Sequence, residues 1–197
     1  MSRVLLFDLG GVLIDNVTFE ELPLLLSAPM ERAALQDRWL HSPAVQYYER
    51  GEIDADTFAA DFVDEWALSS SPAQFLEAFA TWPRGFFPGA VELLADLRKR
   101  HTIAFLSNCN AIHWERLAHV LDHADHAFSS HEVRAVKPEP AIFRHVAETL
   151  GCASEEITFF DDSATNARAA IAAGMRAYHT MGFDALRRTI ESLRLSA

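Results

Sequence analysis

Short apolar segments rich in β-branched and aromatic residues recur at positions 4–7, 102–106, 157–160 and 177–179. Between them run stretches with apolar residues on one helical face: Ala90, Leu93, Leu94 and Leu97; Trp114, Leu117, Ala118 and Leu121; Phe143, Val146, Ala147 and Leu150; Ala167, Ala170, Ile171 and Gly174. Short uninterrupted apolar runs are the pattern of strands buried on both sides, and one-sided stripes are the pattern of helices that cover them. This alternation predicts an α/β fold: a three-layer, Rossmann-like parallel sheet with helices on both faces, right-handed crossovers, and ligands held at the carboxyl ends of the strands. A short strand at 127–129 is expected at one edge.

The rhythm breaks between about residues 16 and 83. That region offers no convincing strand but several helix-start patterns: Thr18 with Glu21, Ser42-Pro43 with Gln46, and Ser71-Pro72 with Gln74. Four or five short helices are expected there, with Gly51 and the acidic turn Glu52-Ile53-Asp54 separating two of them and Pro83 to Pro88 marking the return to the sheet. The expected organisation is a core of residues 1–15 and 84–197 with a small all-helical domain, 16–83, inserted after the first strand. The aromatics Trp39, Tyr47, Tyr48, Trp66 and Trp82 are expected mainly in the core of that insert. Glu49 and Arg50 are candidates to face a ligand from it.

A chain of 197 residues, half of them apolar, can bury one sizeable core. No stretch approaches the roughly 18–20 apolar residues of a membrane span, and the start of the chain lacks a signal-peptide pattern, so the cytoplasm is the expected compartment. Cys109 and Cys152 form no disulfide or zinc pattern. A formal charge of −11 argues against nucleic acid as a partner, because that binding rests on basic side chains.

The residues just beyond the strands carry the chemistry. Asp8 follows the first strand, Ser107-Asn108 the second, and Asp161-Asp162 a later one, with Lys137 ahead of a helix. Carboxylates gathered at one rim raise each other's pKa unless a cation neutralises them. Magnesium suits one or two carboxylates together with water and substrate phosphate. Ser107, the N–H groups at the next helix start and Lys137 would then hold the remaining phosphate oxygens of a small phosphate ester.

Four short segments in this order resemble the motifs of the haloacid dehalogenase superfamily. Residues 7–14 resemble the first, Leu106-Ser107-Asn108 the second, Lys137-Pro138-Glu139 the third, and residues 159–166 (Phe-Phe-Asp-Asp-Ser-Ala-Thr-Asn) the fourth. The resemblance covers essentially the whole chain and is closest to the sugar-phosphate phosphatase branch that includes bacterial glucose-1-phosphate phosphatase. That branch shares the Asp8-Leu9-Gly10 opening and a turn like residues 50–53. It implies a helical cap over the sheet and an aspartyl-phosphate intermediate on Asp8. Magnesium would be held by Asp8, the Gly10 carbonyl and Asp162, with Asp161 in support. Lys137 would orient Asp8 and bind phosphate with Ser107 and Asn108, and Asn166 would brace the loop.

One position departs from the family pattern. Most phosphatases of the superfamily place a general acid two residues after the nucleophile, where this chain has Gly10. Three functions therefore stay open: a phosphatase of a small metabolite such as a sugar phosphate, a dehalogenase-like hydrolase, and a catalytically weak metabolite-binding protein. Asp15 reads as a turn residue. His113, His119, His123 and His126 read as surface histidines.

Overall fold

The computed structural model describes residues 4–195. Its elements run β1 (Val4–Phe7), β2 (Ile14–Asn16), α1 (Thr18–Leu25), α2 (Arg32–His41), α3 (Pro43–Glu49), α4 (Ala55–Glu65), α5 (Pro72–Phe79) and β3 (Pro83–Phe86). They continue with α6 (Ala90–Leu97), β4 (Thr102–Ser107), α7 (Ala111–Arg116), α8 (Ala118–Leu121), β5 (His126–Ser129), α9 (Ser130–Val133) and α10 (Pro140–Leu150). A 3-10 turn (Ser154–Glu156), β6 (Ile157–Asp161), α11 (Ala164–Ala172), β7 (Arg176–His179) and α12 (Phe183–Ser192) complete the chain.

Among the described residues the main sheet has five strands in the order β5-β4-β1-β6-β7, all parallel. Because successive side chains on a strand point to opposite faces, each central strand feeds two cores. Leu5, Phe7, Ile103, Phe105 and Phe160 pack with α6, α8 and α12 through Leu94, Val120 and Ile190. Val4, Leu6, Ala104, Leu106, Ile157 and Phe159 pack with α10 and α11 through Phe143, Val146 and Ala170. The order reverses direction around β1, so the strand-end loops beside it open into one crevice.

The helices α1 to α5 build a separate core of aromatic rings. Phe62, fully buried, stacks on Phe75 at 4.7 Å and on Trp66 at 5.0 Å between ring centres. Trp39, Tyr48, Trp66 and Trp82 belong to this cluster, whereas Tyr47 is exposed. Replacing Phe62 with alanine should cost about 3–5 kcal/mol, since a ring at the centre of a small core leaves a cavity its neighbours cannot fill. Urea unfolding followed by tryptophan fluorescence measures it.

Three local expectations are corrected. The entry and exit of the helical insert form an antiparallel ribbon, β2 against β3, where no strand was expected. Val17, not Thr18, is the N-cap of α1, because the Asn16 side chain accepts the Thr18 N–H at 3.1 Å and its hydroxyl at 2.7 Å. Ser42 caps α3 by accepting from Val45 N, while the Gln46 amide donates to the Leu40 carbonyl, so no reciprocal box closes there. The Ser71–Gln74 box is formed. Among the described residues no helix is long and apolar enough to cross a membrane.

Candidate active site

β1 ends at Phe7, and the next residue, Asp8, donates its N–H to the Phe160 carbonyl at 2.8 Å, which continues the β1–β6 ladder by one step. Its side chain therefore emerges at the sheet rim beside the end of β6, where Asp161 is the last strand residue and Asp162 the first beyond it. One carboxylate oxygen from each of Asp8, Asp161 and Asp162 lies within 4.8 Å of the others.

Lys137 stabilises this convergence. Its ammonium donates to Asp8 Oδ1 at 2.8 Å, Asp161 Oδ2 at 2.7 Å and the Leu106 carbonyl at 3.0 Å, which uses all three protons. Burial alone would lower the lysine pKa, but the carboxylates of Asp161 and Asp8 outweigh it and keep the ammonium charged. For Asp8, burial pushes the carboxyl up to about 7, Lys137 draws it down, and Asp161 and Asp162 push it up again. Burial and the Asp161 charge raise Asp162 as well.

The carboxylates differ in what remains free. Asp161 is saturated: Oδ1 accepts from Ser163 N at 2.7 Å and Asn166 Nδ2 at 3.1 Å, and Oδ2 accepts from Lys137 and, at 3.2 Å, from the same Asn166 amide. Asp162 receives no side-chain or backbone donor from another described residue. Beside it Gly11 adopts φ +70°, and a Cβ there would stand 2.7 Å from Asp162 Oδ2, so the close approach needs glycine. The Gly10 carbonyl accepts none of the described hydrogen bonds.

Ser107, at the end of β4, is buried, and its hydroxyl makes only a long 3.5 Å contact to the Asn108 carbonyl. The Asn108 side chain is turned to the lysine loop, which leaves its backbone N–H as the group it could offer a substrate. Its side-chain amide donates to the Lys137 carbonyl at 2.9 Å and accepts the Lys137 N–H at 2.8 Å, so it clamps the lysine loop. The N–H of Cys109 is likewise committed, to Ser130 Oγ at 2.9 Å. Ser130 begins α9 directly after β5, so its place beyond a strand end is itself a sequence signal for the crevice.

His113 is buried, not on the surface. Its Nε2 pairs with the Phe79 carbonyl at 2.8 Å and its ring lies 4.1 Å from that of Phe79, and burial lowers its pKa to about 4, so it joins α7 to α5 as a neutral ring. Asp15 lies in β2, 3.8 Å from Arg84.

Over this rim hangs the end of α3. Ser130 Oγ donates to the Glu49 carbonyl at 2.6 Å, Arg50 pairs with Glu139, and Arg134 bonds to the Gly51 carbonyl. Gly51 has φ +66°, and a Cβ on it would stand 2.6 Å from the His131 carbonyl, so only glycine lets this turn dock so closely.

A family model described as haloacid dehalogenase-like hydrolase matches residues 3–174. The chain belongs to this family of hydrolases. Among individual members, D-ribitol-5-phosphate phosphatase of Bacteroides thetaiotaomicron is 24% identical to it over 180 residues, spanning 84% of this chain and 85% of that protein. A phosphatase of Mycobacterium tuberculosis is 38% identical over 73 residues, a match that covers 37% of this chain and only 30% of that protein's length. A HAD family enzyme of B. thetaiotaomicron, crystallised with magnesium and inorganic phosphate, superposes with a TM-score of 0.72 at 26% identity and covers 91% of this chain and 94% of its own. This haloacid dehalogenase-like hydrolase thus shares its fold with that enzyme.

Proposed function

We propose that this hydrolase is a magnesium-dependent phosphatase of a small phosphorylated metabolite, of the sugar- or polyol-phosphate class, with Asp8 as nucleophile. The observation that carries this reading is the meeting of three carboxylates with one buried lysine at the sheet rim. The relatives named for phosphatase activity, and the neighbour crystallised with magnesium and phosphate, support it.

The donor set fits magnesium. It is all oxygen, it carries more negative charge than Lys137 offsets, and it leaves Asp8, Asp162 and the Gly10 carbonyl with acceptor capacity unused. When bound, the ion supplies the positive charge that keeps these carboxylates ionised and shields the phosphoryl oxygens. Asp161, already saturated, acts by fixing Lys137 and the loop through Asn166.

Asp8 then attacks phosphorus, the ester P–O bond breaks with its electron pair on the leaving oxygen, and that oxygen takes up a proton and departs as the alcohol. Water afterwards breaks the aspartyl-phosphate and returns Asp8. Splitting one displacement into two lowers each barrier. Lys137 holds Asp8 in line, and with Ser107 it faces the charge that gathers on the transferring group. Residues 16–83 serve as a cap over the core of 1–15 and 84–197, and they exclude water as the cleft closes.

With p-nitrophenyl phosphate as probe, removing metal with EDTA should lower phosphate release at least about 100-fold, in line with several kcal/mol of charge stabilisation. Added magnesium should restore it. Release that ignores the chelator would overturn the reading. So would metal-independent halide release from a 2-haloacid, because displacement of halide by a carboxylate has no need of a cation site.

A further inference from the structure

We propose that the side chain of Glu49, presented from the helical insert, donates the proton to the leaving oxygen that Gly10 cannot provide. The inference rests on the phosphatase reading and adds to it the residue that completes the chemistry.

Position 10 offers nothing ionisable, and a Cβ there would meet Asn16 Nδ2 at 3.4 Å. Asn16 is an amide, with its oxygen engaged by Thr18, so it has no proton to transfer. Asp162 belongs to the proposed cation site, and other groups at the rim are held by neighbours. Lys137 is held as a charged ammonium by two carboxylates and a carbonyl. Asp161 is saturated with donors. His113 turns to the Phe79 carbonyl. The Nδ1–H of His131 faces the Cys109 carbonyl, with Ser129 Oγ on the same nitrogen, so in the neutral ring Nε2 carries no proton to give. Burial and the nearby acids Glu49, Asp8 and Glu132 push the Cys109 thiol far up, which makes it a poor acid.

Glu49 is placed differently. It is the last residue of α3, and Ser130 ties its carbonyl to the same point that receives the Cys109 N–H, two residues beyond Ser107. Its neighbour Arg50 pairs with Glu139, two residues beyond Lys137. The Glu49 backbone is thus pinned between the loop after β4 and the lysine loop. Its carboxyl lies within the electrostatic influence of Lys137, Arg50 and the Cys109 thiol, yet it accepts no hydrogen bond and forms no ion pair among the described residues. Burial pushes it up to about 7 against the pull of Lys137 and Arg50, so near neutral pH it carries a proton it can give. A carboxyl kept protonated by burial is a recurrent form of general acid.

The atoms balance. As the bond from Asp8 oxygen to phosphorus forms and the ester P–O bond breaks, the proton of Glu49 passes to the leaving oxygen. In the second half, the Glu49 carboxylate takes a proton from the attacking water, the bond from Asp8 to phosphorus breaks, and inorganic phosphate leaves with Glu49 protonated again.

The test compares kcat/KM of Glu49→Gln, in magnesium, on two esters. The leaving group of p-nitrophenyl phosphate is stable as an anion, whereas that of phenyl phosphate is a much stronger base and needs the proton. The expected result is a loss of about 100-fold or more on phenyl phosphate and a loss under about 5-fold on p-nitrophenyl phosphate, whose survival also shows that the variant is folded. Adding Gly10→Asp to that variant should restore turnover of phenyl phosphate preferentially. Equal losses on both esters, or no loss on either, would overturn the assignment. If the unaltered chain hydrolyses neither ester with magnesium, the phosphatase reading itself fails and takes this one with it. A fall on phenyl phosphate alone cannot be produced by loss of the phosphatase site.

Discussion

Asp8→Asn should reduce phosphate release by about 10,000-fold or more, the scale on which enzymes lose activity when a covalent nucleophile is removed, and yet make the metal-free protein more stable. The two effects have one origin. Asp8 is a buried carboxyl whose ionisation is opposed by desolvation and by Asp161 and Asp162, and only Lys137 relieves it. An amide of the same shape cannot attack phosphorus, but it carries no charge to bury, and Lys137 keeps its bond to Asp161 at 2.7 Å. The sign follows from proton counting. A carboxyl near 7 in the fold and near its ordinary 3.8 in the unfolded chain holds its proton more tightly when folded. Between those values the unfolded state binds fewer protons, so stability falls as pH rises from about 4 to about 7 and stays at the lower level above. The advantage of Asp8→Asn should therefore be small at pH 4.5 and complete at pH 8, as thermal melts in EDTA would record. An unchanged melting temperature at pH 8 would mean that the carboxylate is already relieved by other means.

The sheet was legible because its strands are apolar on both faces, as at positions 102–106, where alternate residues feed the two cores. The rule that ligands gather at strand ends was enough to bring Asp8, Asp161 and Asp162 to one rim. What escaped was set by contacts between distant segments. The β2–β3 ribbon pairs Asp15 and Asn16 with Gly85 and Pro83, residues with little strand propensity of their own, and it exists because the two ends of the insert meet there. The burial of His113 depends on the carbonyl of Phe79, 34 residues away in sequence. The clamp that the Asn108 side-chain amide makes on the lysine loop joins residues 29 apart in sequence. Sequence likewise names three carboxylates without saying that Asn166, Ser163 and Lys137 saturate just one of them. Donor and acceptor allocation within a site depends on side-chain directions that no periodicity encodes.

Lys137→Met should be damaging in both respects, which separates it from Asp8→Asn. The side chain is 2% exposed and its ammonium lies between Asp8 and Asp161, with the Phe159 ring 5.4 Å away. Methionine fills much of the same space but leaves two buried carboxylates facing each other with the lysine charge gone. Breaking a buried pair from one side costs about 3–5 kcal/mol, mostly for the charge left behind. Turnover should fall about 100- to 1,000-fold, the scale for removing one aimed donor from a developing charge. The stability deficit should be largest at pH 8 and shrink toward pH 5, because without the ammonium the Asp8 carboxyl, already raised by burial, takes up its proton more readily still in the fold than in the unfolded chain. Magnesium should recover part of the stability at pH 8 by returning positive charge to the rim, but it should not recover the activity, since the ion does not replace the bond that holds Asp8 in line. Combining Lys137→Met with Asp8→Asn should cost less than Lys137→Met alone, because one of the stranded charges is gone. The difference between the double variant and the sum of the single ones measures the coupling across the 2.8 Å contact. Additive effects would show that the lysine owes its burial to Asp161 alone.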